Sequence, residues 1–315
     1  MNAVIVTGAT SMLGIATIQV CLENNVRVIA LTRANSRRKS CLPKSELITL
    51  IECDLSELSE VDLPKDDYDI LYHFGWGFTD RTTRDDPILQ YKNIGYTLDA
   101  VQLADKYGCR KFLGAGSQAE YGFQEKKITE ETPVNPEVCY GYAKYAAGKL
   151  AEKLCNKLGL ICIWTRTFSV YGRYDSANTM VSYALCQYKK GEVAQFSSGM
   201  QMWDFLFEED AGKYFYLLGK KVNSNLLVNV ASGNVKQLKE YIEEMAEALN
   251  KIGRGELFRY ELENGKRNIP LNGINPSVNK LQEITDYMPQ VGFAEGIKKI
   301  WSSLDDRKGE GEYGY

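Results

Sequence analysis

The first 165 residues of this 315-residue chain alternate between short apolar runs and longer segments with helical periodicity. The apolar runs, rich in β-branched residues, lie at 3–6, 26–31, 47–51, 70–74, 112–117 and 160–165. Continuous apolar runs of this length are typical of strands buried on both faces. Because parallel strands need a crossover connection, the alternation predicts a parallel sheet with helices on both faces.

The alternation ends near residue 172. Beyond it, helices are predicted near 179–190, 209–218, 235–250, 276–285 and 293–303, with strands at 226–230 and near 257–262. We therefore predict an α/β protein with a doubly wound parallel sheet over 1–172, to which segments near 203–230 return. A smaller mixed α/β domain is predicted over 173–304. The charged, glycine-rich residues 305–315 are expected to form a flexible tail.

Composition excludes several classes of partner. The net charge is −3, so no basic field favours nucleic acid or an anionic membrane. No apolar run reaches membrane-spanning length, and the chain opens on a strand rather than on a basic leader. Eight cysteines include no Cys-x-x-Cys pair, which suits reduced thiols in a cytoplasmic protein. No metal site is expected, because His73 is the single histidine and is more typical of a packed strand residue than of a base.

The turn after the first predicted strand suggests a phosphate-binding loop. Gly8 and Gly14 frame it, and a helix follows. At such a position, backbone N–H groups and the helix dipole favour a pyrophosphate. The spacing, with Ser11 between the glycines, differs from the dehydrogenase fingerprint. By itself the pair of glycines also fits a tight turn without a ligand.

A second constellation lies on the predicted helix 138–158. Tyr140 and Lys144 are four residues apart and therefore share one face. A nearby ammonium lowers the pKa of a tyrosine, and Ser117, at the end of a strand, can donate to the same substrate oxygen. This set predicts proton transfer. Tyr145 and Lys149 repeat the pattern about 140° round the helix, and we expect them to make surface or dimer contacts.

With these motifs the chain resembles the extended short-chain dehydrogenase/reductase family, in its branch of nucleotide-sugar epimerases, dehydratases and ketoreductases. Residues 7–14 match the family's opening Thr-Gly-x-x-Gly-x-x-Gly except at Ser11, and the likeness extends over about residues 2–289. It implies a Rossmann-type fold. It also implies that Tyr140 transfers the proton, that Lys144 tunes it and contacts the nicotinamide ribose, and that Ser117 polarises the sugar oxygen.

The resemblance also implies contacts to cofactor and substrate. Besides Tyr140 and Lys144, cofactor contacts are expected from Gly8, Thr10, Ser11, Met12, Leu13, Gly14, Arg33, Arg37, Asp54, Leu55, Phe74, Gly75, Trp76, Asn93, Ala115, Phe168 and Val170. Substrate contacts are expected from Trp76, Ser117, Gln118, Arg173, Asn178, Trp203 and Arg267. Trp203 stands where an arginine is common in the family, so Arg173 or Arg267 is expected to hold the diphosphate.

The end of the second strand bears on the cofactor. An acid there would bind the ribose hydroxyls, but the sequence has Arg33, followed by Arg37 and Arg38. Because arginine matches phosphate geometry, NADP(H) is favoured and NAD(H) is possible. The alternative is that residues 37–39 form a solvated loop.

The reaction is narrowed by Gln118 and Ala119, which replace the Asp-Glu pair that the family's dehydratases use. Elimination of water is therefore not expected. The sequence favours an NADPH-dependent 4-ketoreductase on a nucleotide sugar, with hydride transfer at C4. The alternative is an NAD-dependent 4-epimerase. A non-catalytic dinucleotide-sensing scaffold is more remote, because a sensor would not need the Ser117, Tyr140 and Lys144 set.

The helices near 86–107 and 138–158 resemble the pair that forms a four-helix dimer interface in the family. Their apolar positions include Ile94, Leu98, Val101 and Leu150. We therefore expect a symmetric homodimer.

Overall fold

The computed structural model describes residues 1–252, 257–263 and 273–306, excluding the side chains of 305 and 306. The strands are β1 (Ala3–Thr7), β2 (Arg27–Thr32), β3 (Ile48–Glu52), β4 (Tyr68–His73), β5 (Lys111–Ser117), β6 (Ile161–Thr167), β7 (Ser169–Tyr171), β8 (Ala194–Phe196), β9 (Met202–Trp203), β10 (Phe205–Phe207), β11 (Leu226–Val230), β12 (Lys236–Gln237) and β13 (Tyr260–Leu262). The helices are α1 (Met12–Glu23), α2 (Pro87–Lys106), α3 (Cys139–Leu158), α4 (Met180–Lys190), α5 (Glu208–Lys221), α6 (Leu238–Ile252), α7 (Asn279–Thr285) and α8 (Phe293–Asp306).

In the described part of the chain, seven parallel strands form the main sheet in the order β11-β6-β5-β4-β1-β2-β3. The order reverses between β1 and β4, which makes the sheet doubly wound. In open parallel sheets, ligands bind beyond the carboxyl ends of the strands at such a switch point. The predicted Rossmann-type fold is confirmed, and β11 joins the sheet from the returning segment.

Helices cover both faces of this sheet. Helices α1 and α5 pack on one face, and they approach closely because a Cβ at Gly212 would lie 2.5 Å from the backbone of Ala16. Helices α2 and α3 pack together on the other face, where Gly148 leaves room for the indole of Trp164. Strands β1, β4 and β5, in the middle of the sheet, are almost entirely buried between these layers, which explains their continuous apolar sequence.

The C-terminal part has its own aromatic core, in which Tyr171, Phe205, Tyr241 and Phe293 contact one another. It is attached just beyond the carboxyl ends of β6 and β11. There the carboxylate of Asp204 accepts hydrogen bonds from the backbone N–H groups that follow β11. The segment after β11 is therefore fixed to the segment that carries Asp204, next to this second core.

Predicted and observed elements agree closely in the first half of the chain. The sequence missed β7, β8, β9 and β12, because strands of two or three residues carry no readable periodicity. Of the predicted flexible tail, 305–315, the first two residues belong to α8, and the remainder lies outside the described residues. No helix among those that the structure describes could span a membrane.

Candidate active site

The turn between β1 and α1 places two backbones in close contact. Gly8 has φ +64°, and a Cβ there would lie 2.5 Å from the N atom of Gly75. Ser11 has φ −74°, which any L-residue adopts, so the family's middle glycine is not required here. The Ser11 hydroxyl caps α1 by accepting a hydrogen bond from the N–H of Gly14 at 3.0 Å. The N–H groups of Met12 and Leu13, the first of the helix, have no acceptor within it.

A cavity of about 780 Å³ opens beside this turn. The predicted cofactor residues that line it are Gly8, Thr10, Ser11, Arg33, Arg37, Asp54, Leu55, Phe74, Gly75 and Trp76. Arg33 and Arg37 are exposed at its rim. The remaining predicted residues are outside this lining, and Phe168 belongs to a buried apolar cluster with Tyr121. The position fits the carboxyl-end crevice between β1 and β4.

Side chains of α2 hold the wall of the cavity in place. Asn93 accepts a hydrogen bond from the N–H of Gly77 at 2.7 Å and donates to its carbonyl at 3.1 Å. Gln90 donates to the carbonyl of Phe78 at 2.7 Å and accepts from the indole N–H of Trp76 at 3.1 Å. Asn93 thus acts on the loop after β4. Gln90 was missed by the sequence analysis, although its spacing of one helical turn from Asn93 is a readable signal.

The predicted catalytic set comes together at the end of β5. The side chain of Ser117 lies close enough to the Tyr140 hydroxyl to favour the ionised tyrosine. Lys144 is buried and donates to the carbonyl of Ala115 at 2.6 Å. Its Nζ also lies 3.6 Å from the centroid of the Trp76 ring, so Trp76 contacts the site rather than the core alone.

The electrostatics of the site correct one expectation. Burial raises the pKa of Tyr140, although Arg84 and the hydrogen bond from Ser117 oppose this rise and Glu120 adds to it. Burial also lowers the pKa of Lys144 to about 7. The lowering of the Tyr140 pKa by Lys144 predicted from the sequence was therefore wrong for this state, because burial outweighs attraction and weakens the charge of Lys144 itself.

A buried ion pair supports the serine loop. Glu120 accepts hydrogen bonds from the N–H of Ser117 at 2.9 Å and from the indole of Trp164 at 3.1 Å. Its other oxygen pairs with Arg166 at 2.9 Å, and both side chains are almost fully buried. A paired and hydrogen-bonded charge tolerates burial, whereas removing one partner leaves an expensive unpaired charge. Glu120 therefore holds the backbone of Ser117 in place through the Ser117 N–H.

The predicted substrate residues are divided between several places. The Oε1 of Gln118 and the indole N–H of Trp203 are buried without a partner among the described residues. Arg173 pairs with Glu208 and, at 2.9 Å, with Glu209, and it lines a separate cavity beside α1. Arg173, one of the two arginines expected to hold the diphosphate, is therefore paired with carboxylates in this structure. Asn178 is exposed before α4, and Arg267 lies outside the described residues.

Two other candidates occupy structural positions. Tyr145 and Lys149 line a small cavity of about 110 Å³ with Trp164. Lys149 is exposed and pairs with Glu152 at 3.3 Å. His73 is buried, and its ring nitrogens contact the hydroxyls of Thr7 at 2.8 Å and Thr97 at 3.3 Å. Burial lowers its pKa to about 3, which confirms His73 as a packed strand residue.

Comparison with known proteins agrees with this arrangement. Residues 4–231 match the model of the NAD dependent epimerase/dehydratase family, and the chain belongs to this family. A putative UDP-glucose 4-epimerase of Methanocaldococcus jannaschii is 25% identical over 96% of this chain and 99% of its own length.

Two solved structures show the same fold. MoeE5 in complex with UDP-glucuronic acid and NAD has a TM-score of 0.81 at 19% identity, covering 97% of this chain and 100% of its own. The UDP-glucuronic acid 4-epimerase of Bacillus cereus in complex with NAD has a TM-score of 0.80 at 18% identity, covering 99% and 100%.

Proposed function

We propose that this enzyme is an NAD-dependent 4-epimerase of a nucleotide-activated hexose. The observation that carries the proposal is the convergence of the side chains of Tyr140 and Ser117 at the carboxyl end of β5, with Lys144 buried beside them. The sequence favoured a 4-ketoreductase and kept the epimerase as its alternative. The similarity to 4-epimerases over nearly the whole chain now favours that alternative.

The residues present fit a dinucleotide. The close approach of Gly8 and Gly75 leaves no room for a Cβ beside the cavity, and the first N–H groups of α1 face the same turn. When bound, NAD would accept a hydride from the sugar and return it. Met12 and Leu13 would hold the pyrophosphate through their backbone, while Asp54 and Arg33 would border the adenosine end.

The chemistry assigned to the protein is proton transfer at the C4 oxygen. Tyr140 takes the proton of the C4 hydroxyl as C4 is oxidised to the ketone, and Ser117 donates a hydrogen bond to the same oxygen. After the sugar turns its other face to the cofactor, Tyr140 returns the proton as C4 is reduced. The same tyrosine therefore acts as base and then as acid, and no net oxidation occurs.

NADP remains as the cofactor of a second candidate, the 4-ketoreductase. The observation in its favour is Arg33, which is exposed at the cavity rim at the position where an acid would exclude a 2′-phosphate. If Arg33 binds that phosphate, Arg33→Ala weakens NADPH binding by about tenfold or more and barely changes NADH binding. Equal effects on both cofactors, measured by calorimetry, would leave Arg33 as a scaffold residue and remove this candidate's main support.

The cofactor that copurifies with the protein separates the two candidates. The protein is denatured, and the cofactor released into the supernatant is identified by mass spectrometry. An epimerase that recycles its cofactor should release close to one NAD per chain. Conversion of a UDP-hexose to its C4 epimer without added cofactor should accompany it. Exchangeable NADP(H) in place of NAD, together with reduction of a 4-keto sugar, would assign the ketoreductase instead.

We also propose a homodimer through α2 and α3. Ile88 and Tyr91 of α2 and Tyr142 and Leu150 of α3 are exposed although they are large and apolar. Val101, which the sequence analysis included in this surface, is instead fully buried in the core. Light scattering at micromolar concentration should give twice the chain mass, and a monomeric mass would exclude this assembly.

A further inference from the structure

Arg84 lies on the loop between β4 and α2, and the sequence analysis gave it no role. The carbon of its guanidinium is 4.2 Å from the centroid of the Tyr140 ring. The Nζ of Lys144 is 5.7 Å from the same centroid. A cation within about 6 Å of an aromatic face is attracted by the ring, and it attracts a phenolate more strongly. Arg84 is therefore the nearer of these two cations to Tyr140.

The backbone of this loop is fixed to the start of α3. The carbonyl of Arg84 accepts a hydrogen bond from the N–H of Tyr140 at 3.2 Å. The carboxylate of Asp85 accepts from the N–H of Cys139 at 2.7 Å. These contacts cap α3, whose own N-cap residue, Val138, makes no side-chain bond. Because neither contact uses the Arg84 side chain, that side chain can be replaced while the loop keeps its place.

The other charged groups around Tyr140 come from two elements. On α3, Lys144 donates to the Ala115 carbonyl and has a pKa lowered to about 7 by burial, so it is only partly charged near neutral pH. Beyond Lys144, burial keeps His73 uncharged. After β5, Glu120 opposes ionisation of Tyr140 but is itself paired with Arg166. The guanidinium of an arginine, in contrast, stays charged at neutral pH and well above it.

We propose that Arg84 is a positioning residue that favours the charged, proton-accepting form of Tyr140. The inference rests on the proton-transfer role of Tyr140 in the proposed function. During oxidation of the sugar, the C4 hydroxyl proton passes to the Tyr140 oxygen, and NAD, when bound, would accept the hydride of C4. The guanidinium over the ring stabilises the phenolate before this step. This attraction weakens when the phenolate takes up the proton and becomes neutral. Arg84 thus supplies a charge that the buried Lys144 supplies only in part.

The test measures the ionisation of Tyr140 without substrate. Placing 3,5-difluorotyrosine at position 140 allows its pKa to be followed by 19F NMR, since fluorination brings the phenol's titration nearer neutral pH. Arg84→Met keeps an apolar chain over the ring and removes the charge, and Arg84→Lys restores the charge. Arg81→Met is the matched control, because Arg81 is an exposed arginine of the same loop. Both arginines are exposed, and circular dichroism checks the fold of each variant.

The expected result is a pKa of residue 140 that rises by about half to one unit in Arg84→Met. It returns most of the way in Arg84→Lys and is unchanged in Arg81→Met. In the enzyme with its natural tyrosine, kcat should rise with pH as Tyr140 ionises. The midpoint of this rise should shift to higher pH by the same amount in Arg84→Met, with KM nearly constant. An unchanged pKa in folded Arg84→Met would overturn the inference.

The two arms separate this inference from the proposed function. If the pKa rises in Arg84→Met but no nucleotide sugar is epimerised, the contact between Arg84 and Tyr140 is supported and the proposed reaction fails. If the wild type epimerises and the pKa does not move, the reaction stands and the role of Arg84 is refuted.

Discussion

Helix α3 carries the Tyr-x-x-x-Lys pattern twice, and the two copies lie in different surroundings. Tyr140 lies beside Ser117, and its partner Lys144 is buried against Trp76 and the carbonyl of Ala115. Tyr145 lines a small cavity of about 110 Å³, and its partner Lys149 is exposed and paired with Glu152. The first pair meets the loop after β4, whereas the second faces β6 and the edge strand β11.

The difference shows that the pattern of tyrosine and lysine does not by itself make a proton-transfer site. What distinguishes Tyr140 is a neighbouring serine at the end of a strand, a cation over its ring and a neighbouring cavity. Burial also moves the pKa of Lys144 to about 7. Perturbed groups that converge on a crevice are the usual mark of a functional site.

Replacing the two tyrosines should give the largest contrast. Tyr140→Phe removes the proton donor and acceptor, so turnover should fall by about 10²–10⁴. The fold and cofactor affinity should be retained, because the ring and its contacts remain. Tyr145→Phe is the matched control and should be nearly silent. Steady-state kinetics checks both, and a loss in Tyr145→Phe as large as that in Tyr140→Phe would place the site on the wrong face of α3.

The second-largest contrast is expected between variants of the two lysines, in turnover and cofactor affinity. In our account Lys144 serves both Tyr140 and the nicotinamide ribose, so Lys144→Ala should lower turnover and also weaken cofactor binding by about tenfold or more. Lys149→Ala removes only an exposed ion pair, which contributes little. Calorimetric titration of NAD into the cofactor-free proteins measures this. Unaltered NAD affinity in Lys144→Ala would contradict a ribose contact.

A smaller effect concerns stability and pH. The folded-state pKa of Lys144 is about 7, below its ordinary value of 10.5, so between these values the folded protein binds fewer protons there than the unfolded chain. The free energy of unfolding of the wild type should therefore rise with pH relative to Lys144→Met, by at most about 1.4 kcal/mol per pH unit above pH 7. Below pH 7 the difference should level off.

Urea unfolding of the cofactor-free proteins at pH 6, 7, 8 and 9 checks this dependence. Lys149→Met, which changes an exposed lysine, should run parallel to the wild type at every pH. A difference between wild type and Lys144→Met that stays constant from pH 6 to pH 9 would mean that Lys144 keeps an ordinary pKa in the fold.

Much of this arrangement could be predicted from the sequence, because its signals are local. The strand before Gly8, the glycines that frame the turn and the spacing of Tyr140 and Lys144 each lie within a few residues. From these signals we predicted the doubly wound sheet and the placement of Ser117 beside Tyr140. Such signals survive because buried strands need apolar residues and a helix repeats its face every three to four residues.

The remainder depended on contacts between distant segments. Arg84 reaches Tyr140 across 56 residues of sequence through an irregular loop, and no periodicity predicts where that loop turns. Arg173 seemed free to bind a diphosphate, but the fold brings it to Glu208 and Glu209 at the start of α5. The pKa of Tyr140 was also misjudged, since a spacing reveals the neighbouring ammonium but not how far the fold withdraws each group from solvent.

The central claim, oxidation and reduction at C4 by a hydride that stays on the enzyme, is tested most directly by isotope retention. The purified protein is incubated with a UDP-hexose carrying deuterium at C4, without added cofactor, and the products are followed by NMR. Our account predicts formation of the C4 epimer with the deuterium still at C4, and loss of this conversion in Tyr140→Phe. An epimer that has lost its C4 deuterium to solvent, or conversion undiminished in Tyr140→Phe, would contradict it.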